Sequence, residues 1–145
     1  LDKCAKEIHD KEIVFSNEAK AEINTLIKAV TEIIEMTSAA YRENDVKKAV
    51  RVEPLEQVID NMIYNIKSNH IERLQHGNCT IEMGFVLSDL LTNCERISDH
   101  CSNIAVAVIE VGHDTFDTHK YLNGVKYGNS EFNAVYDEFE KKYAI

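Results

Sequence analysis

The stretch that decides the fold runs from Thr80 to Val111 and reads TIEMGFVLSDLLTNCERISDHCSNIAVAVIEV. Its apolar residues recur every three or four positions, the spacing that places side chains on one side of an α-helix. These residues are Ile81, Leu87, Leu90, Leu91, Cys94, Ile97, Cys101, Ile104, Ala105 and Val108. Gly112 follows, as glycine often follows the end of a helix. The pattern predicts one long amphipathic helix.

Three further helices are predicted from similar patterns. The first runs from about Ser16 to Tyr41, with Ser16 as its N-cap and an apolar stripe that includes Ile27 and Ile34. The second opens at Glu53 and Pro54, where proline is tolerated in the first turn. Its apolar stripe includes Leu74, and Gly77 ends it. A shorter helix runs from about Ser130 to Tyr143, anchored by Phe132, Val135, Tyr136 and Phe139. Because long helices with short connections pack antiparallel, we predict an all-α fold, an antiparallel three-helix bundle with an additional short C-terminal helix.

The expected domain organisation follows from these helices. Residues 1–15 read as a helical lead-in, the tail of a preceding segment that continues into the first long helix. Residues 16–125 form the three-helix repeat, and residues 126–145 form a C-terminal helix that packs on the bundle. Residues 42–52 interrupt the periodic pattern, although the segment from Asp45 to Val50 fits one helical turn.

Composition limits the function classes. The length of 145 residues suits one domain with a single core. The net charge of -9 argues against a nucleic-acid partner, because such proteins need a basic surface. The longest apolar run, Ile104 to Ile109, is far shorter than the ~20 residues that cross a bilayer.

The four cysteines, Cys4, Cys79, Cys94 and Cys101, contain no CxxC pair. Thiolate zinc sites usually contain such close pairs. Cys94 and Cys101 are seven residues apart, which places both on the apolar side of one helix. We therefore expect core packing, free thiols and a reducing compartment.

A repeated acidic spacing is the main candidate for chemistry. Glu56 and Asp60 are four residues apart on one predicted helix, and Glu95 and Asp99 have the same spacing on the next. Residues four apart share a helix face, so each pair forms a two-pronged carboxylate group at the flank of its apolar stripe. Glu53, one turn earlier, is a less certain member.

Four converging carboxylates repel one another unless they are protonated, paired with cationic side chains or bridged by metal ions. Lys67 and Arg96 are the candidate salt-bridge partners. Hard or borderline divalent metals and Fe³⁺ favour oxygen-rich sites of this kind. The spacing alone leaves two interpretations open, namely a solvated acidic face and a metal site.

The other candidate sites have weaker patterns. Glu110 and His113 have the Glu-x-x-His spacing of ferritin-like di-iron sites, but Gly112 breaks the helix between them. His70 and His100 fit structural roles better than metal ligation. A polar group after the third helix, which fits a surface loop, contains His113, Asp114, Asp117 and His119. No GxSxG, P-loop or HExxH motif occurs, so we predict a protein that is not an enzyme and has no catalytic residues.

Residues 95–105, ERISDHCSNIA, closely resemble the signature of the PhoU (phosphate-uptake regulator) family, in which ERIGDH is followed after two residues by Asn-Ile-Ala. Residues 53–60, EPLEQVID, resemble the partner motif on the preceding helix. HIERL at 70–74 and GNC at 77–79 look like the form found in PhoU domains at the C-terminus of sodium/phosphate cotransporters.

The resemblance covers roughly residues 11–125, since KEIVFS at 11–16 and the following Glu18 and Ala19 also fit the cotransporter subgroup. One departure is Ser98, where the family usually has glycine. Because serine is also small, we expect the fold to be retained.

The resemblance implies both a site and a role. PhoU proteins are tandem repeats of a three-helix bundle whose ExxxD motifs bind multinuclear iron or zinc clusters, so one motif pair here implies one repeat. The implied ligands are Glu56, Asp60, Glu95 and Asp99, with Glu53 less certain, and iron or zinc is the expected metal. Whether the isolated repeat holds metal is left open.

The implied function is a cytoplasmic, metal-binding regulatory domain of a sodium/phosphate cotransporter that modulates phosphate uptake. The implied partners are the membrane transporter part of the same polypeptide or another PhoU-like repeat, with homo-oligomerisation possible and no nucleic acid involved. Two alternatives remain open, a carboxylate-bridged di-metal enzyme on a helical bundle and a metal-free helical interaction module.

Overall fold

The computed structural model describes residues 2–11, 14–112 and 130–145, and 87% of these are helical, with no strand among them. The helices are α1 (Asp2–Asp10), α2 (Asn17–Glu43), α3 (Val46–Ala49), α4 (Val52–Gln75), α5 (Ile81–Gly112) and α6 (Ser130–Lys142). The all-α class is therefore confirmed. Within these ranges, no helix has the length and apolar character required to cross a bilayer.

Local sequence signals set the helix ends. Ser16 caps α2, since its Oγ accepts a hydrogen bond of 3.2 Å from the Ala19 N–H. Asn44 ends the same helix in the left-handed conformation, at a φ of 48°. Asp45 caps α3 by accepting from the Lys48 N–H at 3.2 Å, which confirms the predicted helical turn. Gly77, with a φ of 72°, follows α4 and allows the chain to turn towards α5.

The core lies where α2, α4 and α5 pack against one another. The large apolar side chains at its centre are almost fully buried and include Leu26, Ile33, Leu55, Ile59, Ile66 and Leu91. Burial of each such side chain stabilises the fold by about 1.5–3 kcal/mol. The predicted stripes are wider than this core. Five of their members are more than a third exposed, namely Ile27, Ile34, Leu74, Ile81 and Ile104.

The N-terminal segment differs from its prediction. Instead of leading directly into the first long helix, α1 ends at Asp10 and residues 14–16 are not helical. α1 packs on α5, where its Cys4 is buried. The break follows from the cap, because Ser16 uses its side chain to start α2 anew.

The last helix, α6, packs on α4. Two polar contacts accompany its buried Phe132 and Phe139. Arg51 donates to Glu138 at 3.0 Å, and the Asn61 amide donates to the Tyr136 hydroxyl at 2.8 Å. These contacts attach the C-terminal helix to α4 and to the residue that precedes it. The predicted domain boundary between residues 125 and 126 lies outside the described residues and stays a prediction.

Candidate metal centre

Three of the four predicted carboxylates meet at the contact of α4 with α5. Glu56 and Asp60 lie one turn apart on α4, and Asp99 lies on α5. One side-chain oxygen from each lies within 4.8 Å of the others. Among the described residues, this is the one group of three or more acidic, histidine or cysteine side chains with such convergence. We call Glu56, Asp60 and Asp99 the acidic cluster.

The fourth carboxylate, Glu95, is not part of this group. Its Oε2 lies 3.7 Å from the ammonium nitrogen of Lys67 on α4, so it forms an ion pair. The predicted pairing with Lys67 is confirmed. Arg96, the other candidate partner, is exposed and forms no ion pair within the described part of the chain.

Glu53 lies one turn before Glu56 and is half-buried. Its Oε2 accepts a short hydrogen bond of 2.5 Å from the Ser102 hydroxyl on α5. This contact joins α4 to α5. The negative charge of Glu53 also acts on Asp60, so Glu53 lies electrostatically close to the acidic cluster without being one of its three members.

The effect of the clustered negative charges is evident at Asp60. Although its side chain is exposed, loss of solvent around the carboxyl raises its pKa above the ordinary 3.8, and the negative charges of Asp99, Glu95 and Glu53 raise it further. Lys67 acts in the opposite direction. The site therefore disfavours the accumulation of negative charge, and a bound cation would remove this penalty.

The spacing of the cluster oxygens would allow all three to reach one cation. Metal–oxygen bonds of about 2.0–2.6 Å place opposite ligands on one ion about 4–5.2 Å apart. The 4.8 Å limit on the cluster oxygens lies in this range. An all-oxygen set of three carboxylates is suited to hard or borderline ions, including Fe³⁺ and Zn²⁺.

Packing below the cluster holds the two helices close together. Val58 and Ile59 are buried on α4 between the two cluster residues of that helix. On α5, Ser98 is fully buried and its hydroxyl donates to the Glu95 carbonyl at 3.0 Å. The serine hydroxyl thus has a hydrogen-bond partner within its own helix, and its small side chain occupies little space between the helices. This agrees with the expectation that serine at this position retains the fold.

The remaining candidates are not brought to the cluster. His100 is exposed and does not belong to it. Glu110 is exposed near the end of α5, which includes Gly112 and was predicted to stop at that residue. The polar group predicted at His113, Asp114, Asp117 and His119 lies outside the described residues, and so does the histidine of the Glu110 motif.

A second polar network was not predicted. The Arg73 guanidinium donates two hydrogen bonds to Glu22, at 2.9 and 3.2 Å, and the Asn69 amide donates to the same carboxylate at 2.7 Å. Both charged side chains are only 11–12% exposed. In the sequence, Arg73 and Glu22 each lie at the polar flank of an apolar stripe. This position alone does not predict that they pair, because the pairing depends on how α2 packs on α4.

An all-helical domain with a carboxylate cluster between two consecutive helices is the class that this fold and site define. The PhoU domain family matches residues 23–108, which is more than half of the chain. The chain therefore belongs to the PhoU domain family.

Among curated proteins, the phosphate-specific transport system accessory protein PhoU homolog 1 of Thermotoga maritima is similar to this chain. The two are 28% identical over 110 residues, which cover 74% of this chain and 46% of the relative. The matched region thus spans about half the length of that relative. No solved structure showed significant similarity.

Proposed function

We propose that this domain is a metal-dependent regulator of phosphate transport, in which the acidic cluster binds an iron or zinc ion. Membership of the PhoU family and the similarity to a phosphate-transport accessory protein support the regulatory role. The observation that carries the metal assignment is the convergence of Glu56, Asp60 and Asp99 within 4.8 Å.

A regulatory effect follows from the charges. Without a cation, repulsion among the cluster and the neighbouring Glu95 and Glu53 opposes close approach of α4 and α5. A bound cation reverses this balance and draws the helices together. A ligand that prefers one of two helix arrangements shifts the population towards it, which is how a local charge change becomes a signal.

In this proposal, Glu95 is a potential fourth metal ligand. It can join the ion once it leaves Lys67, which would complete the four-carboxylate set. An exposed ion pair of this kind contributes only about 0–1 kcal/mol, so its loss is a small cost beside a metal–carboxylate bond. Glu53 would contribute charge and keep its contact with Ser102.

We further propose that the domain acts in the cytoplasm as part of a sodium/phosphate cotransporter. Its partners would be the transporter portion of the same polypeptide or another PhoU-like repeat, including a second copy of this chain. The motifs at residues 70–74 and 77–79 support this assignment. The relative is about twice as long as the matched region, which is compatible with a second repeat.

A di-metal enzyme on a helical bundle is the rival function. Such a site would lie inside the bundle and leave space for a substrate. Asp60 and Asp99 instead have exposed side chains, which favours a regulatory site at the surface. A metal-free interaction module is the second rival, and metal measurements distinguish it.

The test compares metal content and affinity in matched variants. Purified protein is loaded with Fe³⁺ or Zn²⁺, its bound metal is quantified by elemental analysis, and affinity is measured by calorimetry. Asp60→Asn combined with Asp99→Asn should abolish binding and leave helicity intact. Asp89→Asn, which removes an exposed carboxylate from the same helix as Asp99, should bind like the parent. If the double variant bound metal as tightly as the parent does, the cluster would be a solvated acidic face and not a metal site.

A further inference from the structure

A cysteine and a histidine meet at the opposite end of α4 from the acidic cluster. The Cys79 sulfur lies 3.3 Å from Nδ1 and 3.8 Å from Nε2 of His70. His70 lies almost three helical turns after Asp60 on α4, about 15 Å along the helix axis, so this pair is separate from the acidic cluster. His70 lies in the last turns of α4 and Cys79 lies in the turn between α4 and α5, and both residues are half-buried.

The position of the His70 imidazole depends on the absence of a side chain at Gly84. A β-carbon at Gly84 would lie 2.8 Å from Nε2 of His70, which is too close for a real contact. The ring therefore occupies the space that any larger residue on α5 would fill. Its Nδ1 faces the Cys79 sulfur.

The electrostatic surroundings favour a neutral ring. Burial and then the positive charge of Arg73 lower the pKa of His70 below the ordinary 6.5, while Glu22 acts in the opposite direction. The neutral form of the imidazole is therefore favoured. A neutral imidazole has one nitrogen free to accept a proton.

We propose that Cys79 and His70 form a reactive thiol–imidazole pair, and that Cys79 is a site of oxidation by peroxides. His70 Nδ1 accepts the thiol proton as the sulfur attacks one peroxide oxygen. The S–O bond forms, the O–O bond breaks, and the leaving hydroxide takes up the proton from His70 to become water. With hydrogen peroxide, Cys79 is oxidised to a sulfenic acid and the peroxide is reduced to water.

Among the residues that the structure describes, the other three cysteines lack this combination of access and base. Cys4, Cys94 and Cys101 are at most 7% exposed. Burial raises the pKa of the Cys94 and Cys101 thiols, which lowers their thiolate population. Neither faces a histidine among the described hydrogen-bond partners. The partial exposure of Cys79 and its contact with His70 therefore distinguish it.

Alkylation of the folded protein by iodoacetamide at neutral pH measures nucleophilicity directly. In this reaction the S–C bond forms, iodide leaves and the thiol proton passes to the base. Peptide mass analysis should show Cys79 modified before the other cysteines. His70→Gln should slow its alkylation at least about tenfold, since a positioned base typically contributes 10²–10⁴-fold.

Two variants keep the test decisive. His76→Gln removes the neighbouring histidine, whose Nδ1 lies 2.8 Å from its own helix's Glu72 carbonyl, and should not change the rate. Gly84→Ala retains both members of the pair but displaces the ring, so it should slow alkylation as His70→Gln does. Circular dichroism checks that helicity is unchanged. An unchanged rate in both His70→Gln and Gly84→Ala would overturn the base role.

Hydrogen peroxide with a dimedone trap tests the substrate class. The parent should give a dimedone adduct at Cys79, and His70→Gln should give it more slowly. Cys79→Ser supplies the blank. Absence of the adduct in the parent, or its first appearance at another cysteine, would overturn the assignment of Cys79 as the peroxide-reactive site.

Discussion

Lys67 on α4 and Glu95 on α5 approach to 3.7 Å, and Glu95 is the one carboxylate of the two acidic motifs that is not a member of the acidic cluster. Both side chains are close to half exposed, at 46% and 45%, so the pair is in contact with solvent. Its energy is correspondingly small. If the cluster binds a cation as proposed, the lysine would limit both the negative charge and the number of oxygen ligands available to it.

Replacement of Lys67 by methionine should strengthen metal binding. The variant frees Glu95 to act as a ligand and removes a positive charge from the neighbourhood of Asp60. We expect the dissociation constant for Fe³⁺ or Zn²⁺ to fall several-fold, measured by calorimetry at low ionic strength. Lys28→Met, a change at an exposed lysine on α2, is the control. Weaker binding by Lys67→Met would show that the lysine organises the site.

Neutralisation of Asp60 should stabilise the metal-free protein. Asp60→Asn removes one member of a group of mutually repelling carboxylates. The free energy of unfolding should rise by roughly 0.5 kcal/mol, the scale of interactions between exposed charges. Chemical denaturation in low salt measures the effect, which should diminish in 1 M salt because ions screen the repulsion. A loss of stability would mean that the carboxylate has a structural contact.

The Glu22–Arg73 pair should contribute more to stability than any other ion pair described above. Arg73→Met leaves the Glu22 carboxylate in a nearly buried position with Asn69 as its remaining described partner. Loss of one member of a buried pair is strongly destabilising, and we expect a cost of about 3 kcal/mol in the free energy of unfolding. Arg96→Met, at an exposed arginine, should change it by less than about 0.5 kcal/mol. Equal effects of the two variants would contradict the assignment.

His70 should make stability depend on pH. Its folded-state pKa is lowered, so below pH 6.5 the unfolded chain takes up a proton that the folded chain resists. Stability contributed by the neutral ring is therefore present above pH 6.5 and is lost as the pH falls from 7 to 5. Denaturation midpoints of the parent and of His70→Gln, compared at both pH values, should show a larger acid loss in the parent. His76→Gln shows the effect of removing a different histidine. A larger acid loss in His70→Gln would reverse the sign and refute the argument.

The helices could be predicted because each is encoded locally. Ser16, Gly77 and the apolar stripes act within a few residues of their own position, so their effects can be recognised without tertiary information. The break after α1 was missed because the apolar pattern continues weakly across it. The exposure of Ile27 and Ile34 was also not predicted. An apolar stripe indicates which face of a helix points to the core, but it does not indicate how much of that face the neighbouring helices cover.

The candidate site could be predicted in part for the same reason. The four-residue spacing places Glu56 with Asp60, and the geometry of packed helices brings Asp99 to them. The separation of Glu95 from the cluster depends on the reach of a lysine across the helix contact. The contact of His70 with Cys79 depends on the turn between α4 and α5 and on the space at Gly84. Such contacts arise from the tertiary arrangement and have no periodic signature.

The hydrogen bond between the Asn61 amide and the Tyr136 hydroxyl would couple the position of the C-terminal helix α6 to metal binding at the acidic cluster. Asn61 is adjacent to Asp60, so a shift of α4 on metal binding must either carry α6 along or break this bond. Affinities coupled in this way are reciprocal. A partner that displaces α6 would change metal affinity by the same factor by which metal changes the affinity for that partner.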